Sequence, residues 1–186
     1  MEDPVSKKEE LKRKNRNPKI KSAVATLVKI LPPPGKVLDL GVRDGFSTGE
    51  LSKAGYDVIG TDVNKKFIKY ARKKGYNVIY DDIMKTKLEG YNFDIIYGRH
   101  VLEHCAPTDE FFKQCAKVLT TAGVVFFIFP LEPKRKPGNH KVFFPTLEDF
   151  PGSELFTEIT FCNSKDMGII PFSDVKGEAL YIGKLK

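Results

Sequence analysis

VLDLGVRDG, residues 37–45, holds the strongest local signal of the fold. Val37-Leu38-Asp39-Leu40 reads as a buried strand that runs straight into a glycine turn, and a helical stretch from about Ser47 to Ala54 follows. This is the pattern of a parallel strand feeding a crossover helix. Gly41 permits a tight turn, and Gly45 lets the next helix pack close while the backbone approaches a ligand. In an open α/β sheet the ligand sits beyond the carboxyl ends of the strands, where strand order reverses, so this turn is the place to look for chemistry. Asp62 ends the second strand, 23 residues after Asp39, where an acid hydrogen-bonds ribose hydroxyls in nucleotide-type folds. A G-x-x-x-G turn alone is also what any tight strand-to-helix connection needs. Acids at both strand ends tip the reading toward a ligand site.

The rhythm continues outward from that stretch. Asp57–Thr61 is the second strand, Lys65–Lys74 a helix closed by Gly75, Asn77–Tyr80 a third strand and Phe93–Tyr97 a fourth. Pro107 and Thr108 open a helix to about Leu119, with Thr108 as the N-cap, and Gly123–Phe129 is an apolar central strand. A short helix near residues 146–150 precedes Leu155–Cys162 and Ala179–Lys184, which read as a closing antiparallel pair. The sum is a doubly wound, mostly parallel, seven-stranded Rossmann-like α/β sheet with an antiparallel C-terminal pair. On the amino-terminal side, Ile20, Val24, Leu27, Val28 and Leu31 have helical spacing, stopped by Pro32-Pro33-Pro34-Gly35. Residues 1–18 read as a flexible or weakly helical basic arm, and residues 19–186 as the domain.

Composition narrows the class. Hydrophobic residues make up 41% and aromatics 11%, enough for a packed core and incompatible with disorder throughout the chain. The net charge of +7 is local: residues 1–22 hold 8 basic and 4 acidic side chains, residues 131–141 hold 4 and 1, and the rest balances. Cys105, Cys115 and Cys162 form no CxxC pair and, being odd in number, no disulfide framework, which points to a reducing, cytoplasmic setting. The first twenty residues have no apolar signal segment, and the apolar run from Val124 to Leu131 is too short to span a bilayer.

VLDLGVRDGFSTGELSKAGYDVIGTDVN (37–64) resembles the first two motifs of class I S-adenosylmethionine-dependent methyltransferases. NFDIIYGRHVLEH (92–104) resembles the fourth-strand motif of their small-molecule and quinone-biosynthesis subgroup, and NHKVFFPTLEDF (139–150) that subgroup's segment after the fifth strand. The resemblance covers roughly residues 20–186, with one departure: Arg43 stands where the family usually has a glycine. It implies S-adenosylmethionine as cofactor and methyl transfer to an O, N or C nucleophile. By the same resemblance Asp39 approaches the methionine amino group, Gly41, Val42 and Gly45 shape the loop, and Asp62 takes the ribose hydroxyls. Val63 packs on the adenine, Asp82 (preferred over Asp81) takes its amino group, and Ile83 lies against the ring. Gly98, Arg99 and His100 leave the fourth strand where donor and acceptor meet, with Arg99 at the cofactor.

A base that titrates near neutrality suits an acceptor with a proton to lose. His100 ranks first, His140 second and His104 third. His100 and His104 have no HExxH pattern or cysteine cluster to supply a third ligand, so no metal site is expected. The acceptor is expected to be a small molecule, with an anionic one favoured by Lys134, Arg135, Lys136 and Lys141 unless these form an ordinary solvated loop. RNA binding through the arm and the 134–141 loop is the alternative partner, although the Asn/Asp-Pro-Pro-aromatic and Pro-Cys motifs of many nucleic-acid methyltransferases are missing. Two rival classes remain: a non-catalytic S-adenosylmethionine- or RNA-binding module, favoured by Arg43, and an NAD-dependent dehydrogenase, disfavoured because G-x-G-x-x-G is missing. Oligomeric state is not legible.

Overall fold

β1 (Lys36–Leu40) lies in the interior of a seven-stranded sheet, third from one edge. The computed structural model describes residues 7–130, 154–163 and 178–186. After β1 come α2 (Phe46–Lys53; α1 precedes β1 at Lys7–Ile30), β2 (Asp57–Asp62), α3 (Lys65–Lys73) and β3 (Val78–Tyr80). β4 (Phe93–Arg99), α4 (Thr108–Val118), β5 (Leu119–Pro130), β6 (Phe156–Asn163) and β7 (Glu178–Leu185) complete the order. The strands stand as β3-β2-β1-β4-β5-β7-β6. β1 through β5 pair in parallel, and β7 pairs antiparallel with both β5 and β6. The chain builds outward from β1 to β3 and then returns to the other side of β1 with β4. The carboxyl ends of β1 and β4 therefore flank the switch point, which is the crevice the sequence singles out.

Two apolar layers cover the sheet, and strand periodicity divides the residues between them. Val125, Phe127 and Phe129 of β5 join Leu38, Leu40, Ile96 and the α4 residues Phe111 and Phe112 on one face. Val124, Phe126 and Ile128 join Val37, Val58, Ile95 and the α1 residues Ile20, Val24 and Leu27 on the other. A continuous apolar run is thus what a strand buried on both faces requires. Each fully buried Phe contributes about 1.5–3 kcal/mol relative to exposure.

Three local expectations shift. α1 continues from Lys7 through Pro18 to Ile30, so residues 7–18, read as flexible or weakly helical, are helical and continuous with the turn that carries Ile20. The missing N–H of Pro18 costs one intrahelical bond, and buried Ile20 and an Arg16–Asp44 ion pair anchor the helix on either side of it. α4 has Pro107 at its N-cap and begins with Thr108, which makes no capping bond. β5 starts at Leu119, with an irregularity opposite Phe93 and Ile95 that absorbs the residues before Val124. The short helix expected near residues 146–150 lies outside the described residues. Among the described residues, no helix is long and apolar enough to cross a membrane.

Candidate active site

A cavity of about 590 Å³ opens at the carboxyl ends of β1, β2, β3 and β4. The loop after β1 forms its floor. Gly41 has φ 68°, and a Cβ there would lie 2.7 Å from Val101 Cγ2, so neither its backbone nor its surroundings accept a side chain. Gly45, at φ 79°, caps α2 and abuts the Tyr76 ring; it lines neither cavity, so it shapes the loop from behind. Arg43 also sits in the left-handed region, at φ 50°. Its N–H donates to Asp62 Oδ2 at 2.9 Å, and its guanidinium lies 5.6 Å from the Phe67 ring centre. The backbone at position 43 thus takes the conformation a glycine favours, while the side chain is carried onto α3. Val42 is buried with Ile68, Ala71 and Val78, fixing the loop to the sheet edge.

Asp62 is held by two backbone donors, Arg43 N–H on Oδ2 and Asn64 N–H at 2.8 Å on Oδ1. Across the cavity, Asp82 Oδ1 accepts from Met84 N–H at 3.1 Å and Asp81 Oδ1 from Lys87 N–H at 3.2 Å. Both acids line the wall beside Ile83, and Val63 stands 61% exposed at the rim. The preference for Asp82 over Asp81 thus finds both acids in place.

A narrower recess of about 40 Å³ shares Arg16, Leu40, Gly41, Arg43 and Arg99 with the main cavity and adds Asp39 and Tyr97. Asp39 Oδ2 accepts from Ser47 Oγ at 2.7 Å and Thr48 Oγ1 at 2.8 Å, both from the first turn of α2. Its Oδ1 is buried with no partner among the described residues, as are the Tyr97 hydroxyl and Arg16 Nε. Burial pushes the Asp39 pKa up to about 7, against the lowering effect of the two hydroxyls, and raises that of Tyr97 as well. An orphaned carboxylate oxygen in such a place has a strong demand for a cationic donor. Arg16 reaches in from α1, with Nη2 on both Asp44 oxygens at 2.7 Å.

At the end of β4 the side chains form a charged cluster. Arg99 Nη2 donates to Glu178 Oε1 at 2.7 Å and Oε2 at 2.9 Å. His100, at φ 55°, places Nδ1 3.0 Å from Glu103 Oε1 and Nε2 3.2 Å from Glu178 Oε1. Lys19 of α1 also reaches Glu178, at 3.1 Å. Burial pulls the His100 pKa down, but the hydrogen bonds to Glu103 and Glu178 outweigh it, and the net shift is upward. Burial pushes Glu178 up, but the His100 bond and the Arg99 charge hold it well below the usual carboxylate range. Glu103 is 1% exposed, with Oε2 unpartnered among the described residues. His100 and His104 both line the main cavity. His140 and the basic segment at Lys134, Arg135, Lys136 and Lys141 lie outside the described residues.

Arg16 and Glu178 are the residues that sequence reasoning missed. Arg16 sits among seven other basic side chains within residues 1–22, and nothing local distinguishes it. Glu178 opens β7, 79 residues from its partner Arg99.

A family described as Methyltransferase domain matches residues 38–127. The ubiquinone biosynthesis O-methyltransferase of Agrobacterium fabrum is 33% identical over 97 residues, 49% of this chain and 39% of that protein. This chain therefore covers about two fifths of the length of the curated relative it matches. A SAM-dependent methyltransferase from Archaeoglobus fulgidus matches with TM-score 0.72 at 17% identity, over 96% of this chain and 100% of that one. A TehB-like SAM-dependent methyltransferase from Corynebacterium glutamicum gives TM-score 0.70 at 23% identity, over 88% of each chain. At these identities the two structures speak for the fold. The residues present fit the family's cofactor: the orphaned Asp39 Oδ1 and Arg16 Nε match an α-amino acid's opposite charges, and Asp62 stands beside them at the next strand end. Residues 38–127 thus match a methyltransferase domain, and the motifs, strand order and switch-point site together make this chain similar to the class I S-adenosylmethionine-dependent methyltransferases.

Proposed function

We propose that this protein transfers a methyl group from S-adenosylmethionine to an O, N or C nucleophile of a small, anionic acceptor. The observation that carries the reading is the recess where Asp39 Oδ1, Arg16 Nε and the Tyr97 hydroxyl are buried without partners beside the Asp62 cavity. Ionised Asp39 would hold the methionine ammonium, Arg16 its carboxylate and Asp62 the ribose hydroxyls. Val63 and Ile83 would flank the adenine, with Asp82 at its amino group and Arg99 bordering the methionine end. When bound, the cofactor supplies a methyl group on a sulfonium, already activated to leave. The protein's task is then to hold the acceptor in line with it.

His100 is the first candidate for the base. Both ring nitrogens face carboxylates, Nδ1 on Glu103 and Nε2 on Glu178, so in the neutral form Nε2 would take the acceptor's proton where the acceptor displaces Glu178. Its raised pKa means that this neutral form prevails only above the ordinary imidazole range. His140 remains second on sequence grounds. Because the curated relatives are named for O-methylation, oxygen acceptors come first in any screen. Arg43 adopts the backbone a glycine would, so the departure that favoured a non-catalytic binder loses its weight. Among the described residues Cys105 and Cys115 are buried thiols, which supports a reducing, cytoplasmic setting.

Calorimetry with S-adenosylmethionine, its demethylated product and NAD tests the cofactor, and transfer of labelled methyl to fractionated small molecules tests the reaction. Binding of the first two and not NAD is expected, with label in a low-mass fraction. Binding of NAD alone would overturn the proposal, and cofactor binding without transfer to any fraction would reduce the protein to a binding module.

A further inference from the structure

From Lys65 to Tyr80 the chain carries six cations and no acid. This concentration is hidden in the overall count, because acids elsewhere balance it. In the folded protein Ile68 and Ala71 are the buried residues of α3, which turns Lys65, Lys66, Lys69, Arg72 and Lys73 outward, and Lys74 is exposed at its C-cap. Among the described residues none of the six forms an ion pair. They do not merely coat a convex surface. Lys65, Lys69, Arg72 and Lys73, with Ile68 and Tyr80, line an open groove of about 620 Å³ at the β3 edge of the sheet.

Tyr80 gives the groove its chemical character. It is 52% exposed, ends β3, and has Lys65 Nζ 5.2 Å from its ring centre. Asp81 and Asp82, the next two residues, line the cofactor cavity, so the groove runs up to that cavity's margin. Lys65 to Lys73 covers eight helical steps, roughly 12 Å along the axis, enough to face a few successive phosphates. An exposed aromatic face beside a row of cations is how proteins hold single-stranded nucleic acid without reading its sequence. A membrane-binding helix would expose apolar side chains, whereas the large exposed apolar residues, Ile30, Val63, Tyr80 and Tyr91, all lie outside α3.

We infer that the α3–Tyr80 groove is a docking surface for single-stranded nucleic acid, with cations on the phosphates and Tyr80 stacked on a base. This surface shares no lining residue with the cofactor cavity, and the inference does not depend on which acceptor is methylated. Fluorescence anisotropy with a labelled polyuridylate of fifteen nucleotides tests it on the whole 186-residue chain. Saturable binding is expected, with a log–log salt slope of about −2, corresponding to roughly three phosphate contacts. The triple variant Lys65→Glu/Lys69→Glu/Lys73→Glu should bind at least about tenfold more weakly while keeping its affinity for S-adenosylmethionine. Tyr80→Ala should weaken binding about tenfold with the salt slope unchanged, because stacking releases no counterions. Undiminished binding by the triple variant would move the contact elsewhere on the chain and overturn the inference. Equal competition by polyglutamate, together with no effect of Tyr80→Ala, would show a surface that reads acidic chains by charge alone and would equally overturn it.

Discussion

Asp39 is a buried carboxylate with one satisfied oxygen and one orphan, and the two halves of that description pull in opposite directions. Its pKa of about 7 in the folded protein exceeds the ordinary value of 3.8, so the native state binds a proton more readily than the unfolded chain. Stability therefore falls as pH rises from about 4 to about 7, because ionisation is easier once the chain unfolds. Asp39→Asn should raise Tm above pH 7, with the gain disappearing near pH 4, as thermal scans across that range would show. The same variant should lose about 1.5–3 kcal/mol of cofactor binding by calorimetry, the range for a hydrogen bond to a charged group. A variant that gained stability and kept full affinity would remove Asp39 from the cofactor site. His100 carries the second residue-scale prediction. An ordinary imidazole would place the acidic limb of the rate profile near pH 6–7. Its bonds to Glu103 and Glu178 raise the pKa, so the limb should lie higher, and Glu103→Gln should bring it back toward 6.5. His100→Ala should lower turnover about 10²–10⁴-fold with cofactor affinity nearly intact. A profile unmoved by either change would leave His100 as a loop residue only.

Among the elements, α1 is where local reading and structure diverge most. Its buried face was legible from the spacing of Ile20, Val24 and Leu27, but its role in the site was not, because Arg16 acts across 28 residues on Asp44. Arg16→Gln should weaken S-adenosylmethionine binding about tenfold, the low end for a hydrogen bond to a charged group, and weaken adenosine binding little. Comparing the two ligands in one titration series separates an amino-acid clamp from a general loss of fold. β5 shows the opposite case, since its apolar run announced a strand covered on both faces and the structure sends alternate residues to each layer. Phe127 packs on Phe111 and Phe112, with ring centres 5.4 and 6.1 Å apart. Phe127→Ala should cost about 3–5 kcal/mol in denaturant unfolding. A loss under 1 kcal/mol would mean the α4 layer repacks freely.

For the molecule as a whole, charge distribution is the property with functional reach. The net +7 was assigned by sequence to residues 1–22 and 131–141, and the first of these now belongs partly to a helix that touches the site. Replacing Lys134, Arg135 and Lys136 together by Gln should raise KM for an anionic acceptor, and added salt should do the same to the parent protein. Cofactor affinity should stay level, and an unchanged KM would return these residues to an ordinary solvated loop. The strand–helix alternation, the switch point at Gly41 and the acids at the ends of β1 and β2 were all legible in the linear chain. These are local signals: apolar period, glycine at a positive φ, a polar residue closing a strand. Folding was needed to bring Arg16 and Asp39 into one recess, to tie Arg99, His100 and Lys19 together through Glu178, and to make Arg43 serve with its backbone. The difference is one of range, since an ion pair between residues 79 apart leaves no periodic trace and depends on which strand ends the sheet brings together.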